Sequence, residues 1–127
     1  MSFKTLLFPK HQRLRSERLI QVLFEEGNSF FEKPFRAVWK LENNKQASLQ
    51  TLIIVPKKRI DLAVKRNIIK RRIKEGYRMQ KNKLELLLKQ KNQQLNLAII
   101  YQNEEILPYK YLEAKINLVL NRILKEL

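Results

Sequence analysis

The stretch from Pro56 to Lys81 constrains this chain more than any other. It reads P-K-K-R-I-D-L-A-V-K-R-N-I-I-K-R-R-I-K-E-G-Y-R-M-Q-K, and no proline interrupts it after its first residue. Helix formers dominate it beyond Asp61. Stepping about 100° per residue from Leu62 sets Leu62, Ile69, Ile73 and Tyr77 on one narrow stripe. Asn67, Lys70, Arg71, Lys74, Arg78 and Lys81 fall together on a wider neighbouring sector. One side of such a helix needs a protein core. The other side is almost wholly cationic.

A merely solvated helix face would usually mix both signs. Here Asp61 and Glu75 are the only acids in the stretch. Like charges four residues apart, Lys70 with Lys74 and Lys74 with Arg78, mildly oppose the helix. A polyanion relieves that repulsion, which favours nucleic-acid contact over simple solvation. The formal charge of +15 agrees. It steers a protein toward RNA, DNA or an acidic membrane without choosing among them. The aliphatic stripe is narrow, so core packing is a better use of it than a membrane surface.

A length of 127 residues fits one domain, 1–127, and six Phe, four Tyr and one Trp are ample for one core. The chain has no cysteine, which removes disulfides and thiolate metal sites and fits a cytoplasmic location. Met1–Pro9 lacks the pattern of a signal peptide, and no apolar run is long enough to span a membrane.

In chain order, residues 1–15 read as a basic N-terminal arm with a few apolar anchors. Ser16 is the expected N-cap of a helix that runs to about Glu26, with Leu19, Ile20, Leu23 and Phe24 on its apolar side. Gly27 is expected to end it as a left-handed residue. Phe30 to Leu41 reads as a strand in which Phe35, Ala37, Trp39 and Leu41 alternate with Arg36, Val38 and Lys40; a separate short strand at 30–32 stays open. A polar turn at 42–46 leads to a strand over Leu49–Val55. After the basic helix, Asn82 marks a break or a restart before Lys91. Leu95–Tyr101 is a further strand, and a last helix over about Pro108–Leu127 buries Leu112, Ile116, Val119 and Ile123. The expected architecture is α+β, a two-layer sandwich on a small sheet with the order α-β-β-(β)-α-β-α.

Little in the chain supports catalysis by itself. His11 is the only histidine, the acids are scattered, and there is no glycine-rich phosphate loop. A binding module is the better reading. Lysine and arginine neutralise phosphates, and aromatic faces accept unstacked bases. Phe24 and Trp39 are the candidates for stacking, against the alternative that both are core residues; Phe30 and Phe31 are placed at the rim.

The run A63-V64-K65-R66-N67-I68-I69-K70-R71-R72-I73-K74-E75-G76-Y77-R78 resembles the signature helix of the bacterial ribonuclease P protein component, which carries an Arg-Asn-Arg core, then Lys-Arg, then Arg-Glu-Ala-Phe/Tyr. Val55-Pro56-Lys57-Lys58 resembles the family's preceding Val-Ser/Pro-Lys-Lys/Arg. Ile20, Leu23, Phe24 and Gly27 stand where the family has two aromatics around an aliphatic residue, then glycine. Ile68 departs from the second arginine of the core, Ile20 from an aromatic, and the Arg59–Leu62 link is one residue longer than usual.

The resemblance implies a small α/β domain with a left-handed crossover near the signature helix. It implies a ribonucleoprotein of one protein per catalytic RNA. That RNA removes the 5′ leader of precursor tRNA, with Mg²⁺ bound mainly by the RNA partner and the substrate. Carried onto this chain, it assigns the catalytic RNA to Lys57, Lys58, Arg59, Lys65, Arg66, Asn67, Lys70, Arg71, Arg72, Lys74 and Arg78. It assigns the leader to Ile20, Phe24, Arg36 and Trp39. Asn67 has a second reading, a structural amide bonded to backbone across the crossover. The alternative function is a ribosomal or other structural RNA-binding protein; a DNA-binding regulator and a stand-alone nuclease rank below it.

Overall fold

The computed structural model describes residues 12–43 and 46–127. His11 and the apolar anchors before it lie outside the described residues, as do positions 44 and 45 of the expected turn.

The helix α1 spans Glu17–Glu26, and Ser16 caps it by accepting from the Leu19 amide at 3.3 Å. A hairpin follows, β1 at Asn28–Glu32 and β2 at Phe35–Glu42, with Asn28 opposite Trp39 and Glu32 opposite Phe35. What reads as one strand in sequence is therefore two, parted by a turn at Lys33-Pro34 whose peptide bond is cis. Proline cannot donate to a ladder, and this one sits where the ladder reverses. The strand β3 covers Ser48–Ile54. The helices α2, Ala63–Gln80, and α3, Asn82–Lys91, meet at Lys81. Asn92, at φ 53°, closes α3 in the left-handed region that asparagine tolerates. Then come β4, Gln94–Tyr101, and α4, Tyr109–Glu126.

The sheet order is β1-β2-β4-β3, antiparallel except for the parallel pair of β3 with β4. The connection between those parallel neighbours is the crossover that carries α2 and α3. In the central strand β4 every residue is buried, because both faces of the sheet are covered there. One face packs Phe35, Trp39, Leu97, Ile99 and Tyr101 against Ile69, Ile73 and Tyr77 of α2, with α3 and α4 beside it. The other face is smaller. Leu23 of α1 joins Leu14, Val38, Ala98 and Ile100 there.

Several details differ from the sequence reading. Gly27 is not left-handed; it is extended at φ −74° and ψ 160°. Space demands the glycine instead, since a Cβ would lie 2.4 Å from the Leu23 carbonyl oxygen and 3.0 Å from Val38 Cγ1. Leu62 leaves the stripe: it precedes α2 and is 58% exposed. Residues 13–14 of the expected arm are docked. Arg13 bridges Thr51 as a parallel partner, the Leu14 amide donates to the Thr51 carbonyl at 3.0 Å, and Leu14 is buried.

Candidate nucleic-acid interface

The inner side of α2 is fastened by apolar contact and by hydrogen bonds. Ile69, Ile73 and Tyr77 are fully buried, and the Tyr77 hydroxyl lies 2.6 Å from the Thr51 hydroxyl of β3. Burial pushes the Tyr77 phenol far above its ordinary range, while the Thr51 bond acts the other way. The hydroxyl therefore stays protonated and the bond persists. Gly76 lets α4 come close, because a Cβ there would meet Ile116 Cδ1 at 3.0 Å.

The outer side of α2 carries seven cations and one acid over 18 residues. Lys65, Asn67 and Arg71 are exposed, and Lys70 and Lys74 are half-buried beside them. Lys57 and Lys58 are exposed in the turn before α2, and Arg59 reaches Glu104 at 3.9 Å. Arg66, Arg72 and Arg78 hold the protein itself. Arg66 Nη1 donates to the carbonyls of Ile60 at 2.9 Å and Asp61 at 2.7 Å, tying down the link before the helix. Arg72 Nη1 donates to the Leu107 carbonyl at 2.7 Å and so fixes the segment between β4 and α4. Arg78 grips Glu75 through two nitrogens, at 2.6 and 3.2 Å, and its hydrogen bond holds that carboxyl below the ordinary range. A guanidinium has five N–H donors, so these bonds leave others for an anion.

Two expectations need correction here. Lys81 does not join the cationic sector. It is 8% exposed and turned inward, donating to Gln12 and lying 3.8 Å from Glu85, and burial lowers its pKa while Glu85 partly opposes that. Trp39 does not offer a ring to a base. It is 8% exposed in the large core under the helices, because β2 turns its odd-numbered residues to that side. The side chain of Asn67 makes no hydrogen bond to the described residues, so the structural reading of that amide finds no support.

The opposite face of the sheet gathers the other candidates. Ile20 packs at the edge of the small cluster around Leu23, and Phe24 is 39% exposed one helical turn further on. Arg36 Nε donates to the Ser29 hydroxyl at 3.1 Å across the hairpin. Phe31 stands opposite Arg36 in the register and is the most exposed aromatic ring among the described residues, at 63%. The sequence reading put it at the rim without a role. The signal available was its parity: in β1 it alternates with Phe30, which belongs to the core face.

Among the described residues no three His, Cys, Asp or Glu side chains come together in a way that would hold a metal ion. Asp61, Glu104 and Glu105 do border one groove, of about 650 Å³, but Lys58, Arg59 and Lys65 line it too and oppose a cation. No helix among the described residues is long and apolar enough to cross a membrane.

Comparison with known proteins agrees with this architecture. The ribonuclease P protein component of Porphyromonas gingivalis is 31% identical over 115 residues, covering 90% of this chain and 84% of that one. An RNase P protein mutant from Staphylococcus aureus superposes with a TM-score of 0.69 at 24% identity, covering 95% of this chain and 94% of the other. The RNase P protein of Thermotoga maritima superposes with a TM-score of 0.68 at 22% identity, over 87% of this chain and 96% of that one. At such identities the two structures speak for the fold alone. The family model described as Ribonuclease P matches residues 8–124, nearly the whole length, and on that match the chain belongs to the ribonuclease P protein family.

Proposed function

We propose that this chain is the protein subunit of a ribonuclease P ribonucleoprotein. It holds the catalytic RNA through the outer side of α2, and it takes the 5′ leader of precursor tRNA along the sheet face that α1 partly covers. The observation that carries this reading is the pairing of a rigidly seated helix with an outward row of cations. Lys65, Lys70, Arg71 and Lys74 project from a backbone fixed by Ile69, Ile73 and Tyr77. Charges on a fixed frame meet a polyanion with little ordering cost and release its counterions. Lys57 and Lys58 extend the same surface. Arg66, Arg72 and Arg78 contribute spare donors while they brace the helix, and Arg59 and Asn67 flank them.

Ile20, Phe24 and Arg36 fit a single strand better than a duplex, since bases must be unstacked to meet aromatic and apolar side chains. We place Mg²⁺ with the RNA and the substrate and route no step through this chain. Its own part is to neutralise phosphates, to position the leader and so to favour the precursor over the mature product.

The test is cleavage of precursor tRNA at low Mg²⁺ by the protein alone, by a cognate ribonuclease P RNA alone and by the two together. Cleavage at the mature 5′ end that needs the mixture, or is far faster in it, is the expected result. No enhancement by intact folded protein would overturn the proposal and leave a structural RNA-binding protein as the reading.

A further inference from the structure

Phe31 is an unexplained feature of the fold. Its large apolar ring is 63% exposed on a regular strand. Its backbone is not loose. Residues 28–32 pair in full register with 35–39, and from the far side Arg122 of α4 lies over the Phe30 ring at 4.4 Å and reaches Glu32 at 3.9 Å. The hairpin therefore presents the ring on a rigid support. Arg36 stands directly opposite in the register, and its bond to Ser29 shows that it shares the face of Ser29 and hence of Phe31. Val38, two residues on from Arg36, packs from that face in the cluster that holds Leu23 and Ile20 of α1.

We propose that Phe31 and Arg36 form a nucleobase subsite for single-stranded RNA. The ring stacks on one unstacked base, and the guanidinium meets the adjoining phosphate. The arrangement suits a stacking platform: an exposed ring on a fully paired strand, opposite a cation in the register, on a protein of net charge +15. It also accounts for a vacancy left by the core. Trp39 is buried and residue 20 is isoleucine, so Phe31 and Phe24 are the aromatics on this face with surface to offer. The inference rests on the leader reading given above and adds to it the residue pair that grips one nucleotide.

The experiment uses the ribonucleoprotein assembled with ribonuclease P RNA, carrying wild-type protein, Phe31→Val or Phe31→Trp. Valine keeps the strand preference and removes the π-face; urea midpoints check that each variant is folded. Binding is measured to precursor tRNAs whose leaders are shortened one nucleotide at a time, and to mature tRNA. With the full leader, Phe31→Val should bind about tenfold more weakly, in line with one lost base stack. The loss should vanish at a single step of shortening and be absent for mature tRNA. Phe31→Trp should bind as wild type, and its new emission should be quenched by the leader, a signal separable from that of buried Trp39.

If wild type itself binds precursor and mature tRNA equally, the leader reading fails and takes this inference with it. If wild type prefers the precursor but Phe31→Val binds every leader as wild type does, only this subsite is overturned. A Phe31→Val effect confined to self-association of the free protein would also overturn it, in favour of a second copy on the exposed edge of β1.

Discussion

The two faces of the sheet are closed to different degrees. On one, two helices of 18 residues and the shorter α3 seal a continuous core from Phe35 to Ile123. On the other, one helix of 10 residues covers a patch built on Leu23, Val38, Ala98 and Ile100, and leaves Phe24, Phe31 and Arg36 in reach of solvent. The difference separates two tasks. A closed face supplies stability and gives the basic helix a fixed seat. A half-covered face keeps aromatic and cationic groups accessible on strands that the closed face already holds rigid.

The largest effect that would sharpen this contrast comes from matched truncations. Ile73→Ala, in the closed core, should cost about 2–5 kcal/mol through lost burial and a residual cavity. Ile20→Ala, at the rim of the small cluster, should cost less than about half of that. Urea midpoints at unchanged m-value measure both, and equal losses would erase the distinction between the faces.

Next is Gly27→Ala, where α1 passes into β1. The added methyl meets a backbone oxygen that cannot turn aside, so about 1–3 kcal/mol should be lost although the backbone angles suit alanine. A neutral result would mean that the small face can shift to make room.

Smaller still is Tyr77→Phe, at about 1–2 kcal/mol, since it leaves the buried Thr51 hydroxyl without its partner. Adding Thr51→Val should recover part of the loss, because both polar groups are then gone. No recovery would show that the bond is not what joins α2 to β3.

The smallest stability change should come from the outer side of α2. Arg71→Ala is expected to move the midpoint by no more than about 0.5 kcal/mol, yet to lower the slope of RNA affinity against salt by about one. Arg66→Ala, by contrast, should lose stability as well, because its guanidinium ties down two carbonyls of the preceding link. Identical behaviour of the two variants would break the division between bracing and binding cations.

Most of the architecture was legible from local pattern. A helix repeats its buried face every three or four residues, and this shows in Ile69, Ile73 and Tyr77 and again in Leu112, Ile116, Val119 and Ile123. Ser16 announced α1 by capping chemistry that involves only its own neighbours. The β1–β2 hairpin was less legible. A continuous alternation runs through Phe30–Leu41, and Pro34 could mark either a late start or a reversal; pairing with β4 decides for the reversal. The site was harder to read than the fold. Arg66, Arg72 and Lys81 look like any other cations of the run, and what sets them apart is a carbonyl or amide that arrives from elsewhere in the chain.

The sequence by itself determined that α2 is an amphipathic basic helix, that α4 buries one stripe, and that the chain is strongly basic, because periodicity and net charge are properties of local order and composition. Only the tertiary structure decided which cations face outward, why residue 27 is glycine, and which aromatic lies open. Trp39 and Phe31 are both hairpin aromatics on paired strands. The packing of three helices on one side of the sheet and one short helix on the other buries the first and exposes the second.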